Sequence, residues 1–268
     1  MNAVDSIKGS KSLKASKSLT SILALLFLLM PLSGLANEDD PILCGMAIGY
    51  PPFQYLEQNK YSGIDVDVIK LIAKRGNLNL SIKHGHWDDI VSLLRFSELD
   101  CVIGMEINEL RLKYFDFSYP YYNRYTAIFV KADRTDLTEV NDLYGQIISG
   151  DRHSLIENNW TNQRVRDSFR IMQTDSKRES MNLLNKDLIA AAIMPRSVGY
   201  YLAKDIGIRV KIIELSEQGA PVGISVKKGN SELLNALNRN LHQLIKEGEI
   251  DKLFSTYQRD LTYLEPEN

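Results

Sequence analysis

Ile42-Leu43-Cys44-Gly45-Met46-Ala47-Ile48-Gly49-Tyr50-Pro51-Pro52-Phe53 decides the reading of this chain. The run Ile42–Ile48 is apolar and unbroken, which predicts a strand buried on both faces. Two prolines then fix the loop, with an aromatic on either side. In an open α/β sheet, ligands sit beyond the carboxyl ends of the strands. A rigid loop at that edge can hold Tyr50 against a ligand, while Phe53 is expected to plug the core.

Outward from this strand, the pattern alternates. Ile64–Arg75 has helical spacing through Val68, Ile69 and Ile72, with Gly76 where a C-cap belongs. Leu78–Lys83 alternates as a strand does, Asp88–Phe96 reads as a short helix, and Asp100–Gly104 as a strand. Strands are predicted at Tyr125–Lys131, Gln146–Ser149, near Arg170, at Leu188–Ile193, Arg209–Glu214 and Val222–Lys227. A capped turn at Thr138–Leu143 and helices from Ser154, at Ser176–Asn185, Arg196–Lys204, Ser231–Glu247 and Ile250–Tyr257 fill the gaps. Strands that alternate with helices imply an α/β fold with largely parallel sheets.

The N-terminus reads differently. Lys8, Lys11, Lys14 and Lys17 precede an apolar run from Ile22 to Met30, and Gly34-Leu35-Ala36 follows. That is the pattern of a secretory signal peptide cleaved after Ala36. The apolar run is about half the ~20 residues a membrane span needs. The sequence therefore predicts export out of the cytoplasm.

Composition excludes several classes. The chain has 268 residues, 44% hydrophobic and 25% charged, with a formal net charge of -2. This is globular composition, with no electrostatic reason to bind nucleic acid. The motifs of serine hydrolases, zinc proteases, dinucleotide enzymes and P-loop enzymes are missing, so no cofactor is expected. His84 and His86 share a strand face with Asp88 and Asp89 nearby, but a polar strand end is the simpler reading and no metal is expected. Asn79-Leu80-Ser81 and Asn159-Trp160-Thr161 match a glycosylation pattern that matters only in a eukaryotic host. Cys44 and Cys101 both fall in predicted core strands. Export permits a disulfide between them; two buried thiols are the alternative. Arg111 lies beyond the end of the strand Asp100–Gly104, where its planar fork can pair bidentately with a carboxylate.

Taken in order, Tyr50-Pro51-Pro52-Phe53, Gly63-Ile64-Asp65-Val66-Asp67, Trp87, Asp100, Gly104, Arg111 and Phe117-Ser118-Tyr119-Pro120-Tyr121-Tyr122 resemble the family 3 extracellular solute-binding proteins. The tail Leu234, Leu237, Asn238, Leu241, Leu244 and Gly248 fits as well. These are periplasmic receptors of polar amino-acid ABC transporters. The resemblance implies a two-lobed periplasmic-binding-protein fold of type II, each lobe a mostly parallel sheet flanked by helices. Lobe 1 is expected at 37–130 plus 222–268 and lobe 2 at 131–221. The crossings are expected near Lys131-Ala132 and Gln218-Gly219-Ala220, with the ligand cleft between the lobes.

The resemblance also assigns roles. Arg111 clamps the carboxylate of a small polar solute, Trp87 packs a ring on it, and Gly104 and Asn108 match positions that give backbone and hydroxyl contacts. Ser154 meets the carboxylate at a helix N-terminus. The implied partners are the solute and a membrane permease or other inner-membrane protein, with a monomer as the default. Departures from the pattern matter. Pro195 stands where the family carries the acid that holds an α-ammonium, and Ala47 stands where a second acid is common. Glu106 replaces a threonine. It either takes over the ammonium, or the solute has no α-ammonium and Glu106 pairs with Arg111 or Arg196. Arg196 pointing inward would make a second cation in the cleft. Some segments, such as Pro120-Tyr121-Tyr122-Asn123-Arg124, resemble accessory proteins of quinoprotein dehydrogenases. A cyclohexadienyl-dehydratase-like enzyme on the same fold, with Glu106 as general acid, is a further alternative.

Overall fold

A computed structural model describes residues 40–150 and 155–262, backbone only for the last few of these. The expected signal peptide at 1–36 and the expected contact of Ser154 lie outside the described residues.

The described residues begin with β1 (Ile42–Ala47) and a hairpin of β2 (Tyr55–Glu57) and β3 (Lys60–Ser62). α1 (Ile64–Gly76), β4 (Leu80–Gly85), α2 (Trp87–Arg95) and β5 (Cys101–Glu106) follow. A single turn α3 (Glu109–Leu112) leads to the short strands β6 (Phe115–Phe117) and β7 (Tyr122–Arg124), then β8 (Thr126–Lys131). β9 (Ile147–Ser149), α4 (Leu155–Asn162), β10 (Arg170–Met172), α5 (Lys177–Asn185), β11 (Ala191–Pro195), α6 (Arg196–Ile206) and β12 (Val210–Leu215) come next. β13 (Ala220–Lys227), α7 (Ser231–Lys246) and α8 (Glu249–Thr262) close the chain.

Two sheets carry the fold. The first has the order β4-β1-β5-β13-β6, with β7 also on β13, and the second has β10-β9-β11-β8-β12. In the first, β13 pairs antiparallel with β5, β6 and β7, while β4, β1 and β5 are parallel. In the second, β8 pairs antiparallel with β11 and β12. Each sheet therefore has a single strand against the common direction. Those two strands, β8 and β13, are the ones the chain enters on passing from one sheet to the other.

The first passage differs from the expected one. Thr126–Lys131 pairs within the second sheet, so the chain changes sheets at Arg124–Thr126 and not near Lys131-Ala132. Alternation along Tyr125–Lys131 marked a strand but carried no information about which sheet it joins. The return runs through Ser216–Gly219, and the passages are tied together: Thr126 donates its N–H to Ser216 Oγ at 3.0 Å, and Ser216 returns its own N–H to the Thr126 carbonyl at 2.8 Å.

Helix amphipathicity builds the core. α1 buries Ile64, Val68, Ile69 and Ile72, and α7 buries Leu237, Leu241 and Leu244 against it. α1 ends one residue beyond the expected cap, at Asn77, whose φ of 48° places it in the left-handed region. The β2–β3 hairpin was not legible: its turn is Gln58-Asn59, both at positive φ, without the glycine that signals such turns. Gly104 is required where it stands. Its φ is +65°, and a Cβ there would strike the Asp65 carboxylate and the Gln54 amide.

Cys44 and Cys101 are directly opposite on β1 and β5 and are joined by a disulfide. It clips two central strands 57 residues apart in sequence, which restricts the unfolded chain. Replacing both cysteines by alanine is expected to lower unfolding free energy by about 2–4 kcal/mol. Urea denaturation read by circular dichroism checks this, with no change in midpoint as the contrary result.

Candidate functional site

A cavity of about 530 Å³ lies at the ends of the strands. It opens beyond the carboxyl ends of strands from both sheets. The first sheet contributes Ala47–Tyr50 after β1, His86–Asp89 after β4, and Gly104, Glu106 and Arg111 on and after β5. The second contributes Gly150 after β9 and Gln173–Lys177 after β10. Arg124 and Gln54 also line the cavity, Arg124 standing where the chain passes between sheets.

Arg111 is set by its own turn. Asn108 caps α3 by accepting the Arg111 N–H on Oδ1 at 2.9 Å. The Arg111 guanidinium donates to the Glu106 carbonyl at 2.8 Å and lies 3.9 Å from the Glu106 carboxylate. It sits 5.4 Å from the centroid of the Trp87 ring. Trp87 is fixed because it opens α2, whose first turn carries Asp88 and Asp89.

Behind it runs a buried chain of charge. Glu106 is 3.5 Å from the Arg124 guanidinium, which is 3.5 Å from Asp65. The Asp65 carboxylate, fully buried on α1, accepts from Gln54 Nε2 at 2.8 Å and from Tyr121 Oη at 2.7 Å. Gln54 in turn accepts the Ala47 N–H, which couples the chain to the end of β1. Burial raises Asp65 above the usual carboxylate value, while Arg124 and its hydroxyl and amide donors pull the other way. Burial likewise pushes the Tyr121 and Tyr122 phenols well up.

The expected residues divide. Tyr50, Trp87, Gly104, Glu106 and Arg111 all line this cavity. Asn108 does not; its side chain is spent on the α3 cap. Arg196 lines a second cavity of about 250 Å³, together with Pro195 and Phe53, and is not among the residues that line the cavity with Arg111. The reason is that β11 ends at Pro195, which is the N-cap of α6, so Arg196 begins a helix turned to the other side. Glu106 pairs with Arg111 and Arg124. His84 Nδ1 and the Tyr61 hydroxyl share a hydrogen bond at 3.2 Å, and among the described residues no group of three His, Cys, Asp or Glu is placed to hold a metal ion.

Two residues and one segment escaped the sequence reading. Asp65 carried a signal: it shares the apolar face of α1 with Ile69 and Ile72, where an acid demands buried partners. Arg124 carried none beyond its aromatic neighbours. The Gln173–Lys177 segment could have been placed by the strand-end rule applied to the strand near Arg170.

A fold of this kind, two α/β sheets exchanging strands around a cleft edged with arginine and aromatic rings, defines a two-lobed solute-binding protein. The family model of bacterial extracellular solute-binding proteins, family 3, matches residues 42–260, and the chain belongs to that family. The arginine-binding extracellular protein ArtP of Bacillus subtilis (strain 168) is 25% identical over 224 residues, 82% of this chain and 87% of that protein. The L-cystine-binding protein TcyJ of Escherichia coli (strain K12) is 26% identical over 226 residues, 82% of this chain and 84% of its own length. Among solved structures, an ancestral arginine-binding protein bound to arginine superposes with a TM-score of 0.75 at 30% identity, covering 82% of this chain and 98% of that one.

Asp65→Ala leaves buried donors of Gln54 and Tyr121 without their acceptor and is expected to cost about 3 kcal/mol or more. Because Asp65 is raised, the folded protein keeps this proton to higher pH than the unfolded chain does. Ionisation thus withdraws stability as pH climbs above the usual 3.8. The advantage of the wild type over Asp65→Ala should narrow across that range in urea titrations at stepped pH. An advantage that widens contradicts this.

Proposed function

We propose that this protein captures a small carboxylate-bearing solute, an amino acid or a related acid, by closure of two lobes and delivers it to a membrane ABC transporter. One observation carries the reading. Arg111 edges the cavity, oriented by its cap and by the Glu106 carbonyl, with the Trp87 ring 5.4 Å away. A guanidinium and a ring held so can take a carboxylate and the carbon skeleton beside it.

The lobes we assign are the two sheets with their helices, and the hinge is the pair of passages at Arg124–Thr126 and Ser216–Ala220. A solute that touches both sheets stabilises the closed form over the open one. From the second lobe, Asp175 lines the same cavity and is available to an ammonium group, which compensates for Pro195. The names of the relatives, arginine-binding and L-cystine-binding, support an amino-acid-like solute. In this reading the chain is exported with removal of residues 1–36, works in the periplasm as a monomer and is not an enzyme.

A second reading has one observation in its favour. The family's ammonium-holding acid is replaced by buried Pro195, so the cleft can instead belong to a transport-independent sensor or accessory module. A thermal-shift screen over amino acids, dicarboxylates and amines separates the two. A receptor gains stability as RT ln(1 + [L]/Kd), and a module with a degenerate cleft gains none.

For any carboxylate solute found in that screen, Arg111→Ala is expected to weaken binding at least about tenfold, the loss of one charge-assisted hydrogen-bonded pair. Titration calorimetry on the folded variant checks it. Unchanged affinity contradicts the assignment of Arg111.

A further inference from the structure

The side chain of Arg124 is placed as a bound guest would be. Its guanidinium carbon lies 4.7 Å from the Phe53 ring centroid, 5.1 Å from Tyr50 and 5.3 Å from Tyr122. Asp65 and Glu106 each stand 3.5 Å from its nitrogens, and it donates to the Gly104 carbonyl at 3.3 Å and to the Tyr122 hydroxyl. Three rings and two carboxylates are what a protein assembles to recognise a cation. Here the cation is the protein's own. The side chain is 5% exposed, lines the cavity, and leaves Nε buried with no hydrogen-bond partner.

We propose that Arg124 is a tethered occupant that sets the specificity of the cleft: it fills a cation pocket from inside, so that the cavity rejects solutes with a guanidinium or ammonium at the far end. The inference deepens the solute-binding reading and rests on it. A solute gripped at its carboxylate by Arg111 can carry only a neutral or an anionic group toward Arg124. A second cation there would meet like charge, and the carboxylates that would offset it, Asp65 and Glu106, are already paired. Repulsion built into a site is how discrimination is gained beyond what contacts to the right ligand supply. The position on the sheet-to-sheet passage matters too. Arg124 pairs in register with Ala220 of β13, so the occupant is anchored in the hinge and does not leave with the solute.

The test uses the full chain, Arg124→Ala, and Arg124→Met as the variant that keeps the packing. Each is titrated with L-arginine, with succinate, and with ethylguanidinium, a cation that has no carboxylate. L-arginine is expected to bind the variants about tenfold or more tighter than it binds the wild type, the scale of a cation returned to a desolvated ring cage. Ethylguanidinium at millimolar concentration is expected to raise the melting temperature of the variants and leave that of the wild type unmoved. Wild type that binds L-arginine as tightly as the variants do overturns the proposal, as does ethylguanidinium that protects all three proteins equally. The arms separate the two claims. Ethylguanidinium rescue needs no Arg111, so rescue that survives Arg111→Ala supports the occupied cage even if no carboxylate is ever bound. Succinate bound through Arg111, together with equal affinity of all forms for L-arginine, supports the receptor and sinks the role of Arg124.

Discussion

A guanidinium taken out of water needs its charge offset inside the protein, and Arg124 organises the cleft for this reason. Burial of an uncompensated charge costs several kcal/mol. The neighbours of Arg124 are therefore constrained together: Asp65 on the inner face of α1, Glu106 at the end of β5, and three rings drawn from the Pro-Pro loop and β7. Gly104 belongs to the same constraint, since a side chain there would displace Asp65 and Gln54, and its carbonyl accepts from Arg124. Gln54 carries the network on to the end of β1. One cation thus fixes the relative placement of α1, β1, β5 and the passage between sheets.

This explains why Glu106 can replace a hydroxyl so near Arg111. It faces two guanidinium groups, 3.9 and 3.5 Å away, and is held by both. Arg111 shares that carboxylate and lies 5.4 Å from the centroid of the Trp87 ring, so the edge of the cavity keeps an oriented arginine. The inner wall and the mouth of the cleft are coupled through a single acid. On the opposite side the cavity is completed by the segment after β10, where α5 begins under a Ser176 cap.

Much of this was legible in the sequence, for identifiable reasons. The buried strand Ile42–Ala47, the amphipathic helix over Ile64–Gly76 and the long helix over Ser231–Lys246 follow from apolar spacing alone. Tyr50, Trp87, Glu106 and Arg111 line the cavity, as expected from strand ends in open α/β sheets and from the resemblance to the family. What was missed depends on tertiary geometry. Sheet membership of Thr126–Lys131 is a long-range pairing with no local mark. Arg196 looked like a cleft residue by position, but Pro195 as a helix cap turns it to the second cavity. Arg124 sits in an ordinary alternating strand, and only the convergence of Asp65 from one helix and Phe53 from a distant loop reveals its role.

The most direct test of this account is the arginine side-chain NMR spectrum of the full chain, with Arg124→Lys to assign the signal. Three aromatic faces around one guanidinium predict a single Nε–H resonance shifted well upfield and slow to exchange with water, in place before any solute is added. If every arginine signal exchanges at the rate of a surface side chain and none is displaced by ring currents, the cage is empty and the organisation of the cleft described above is wrong.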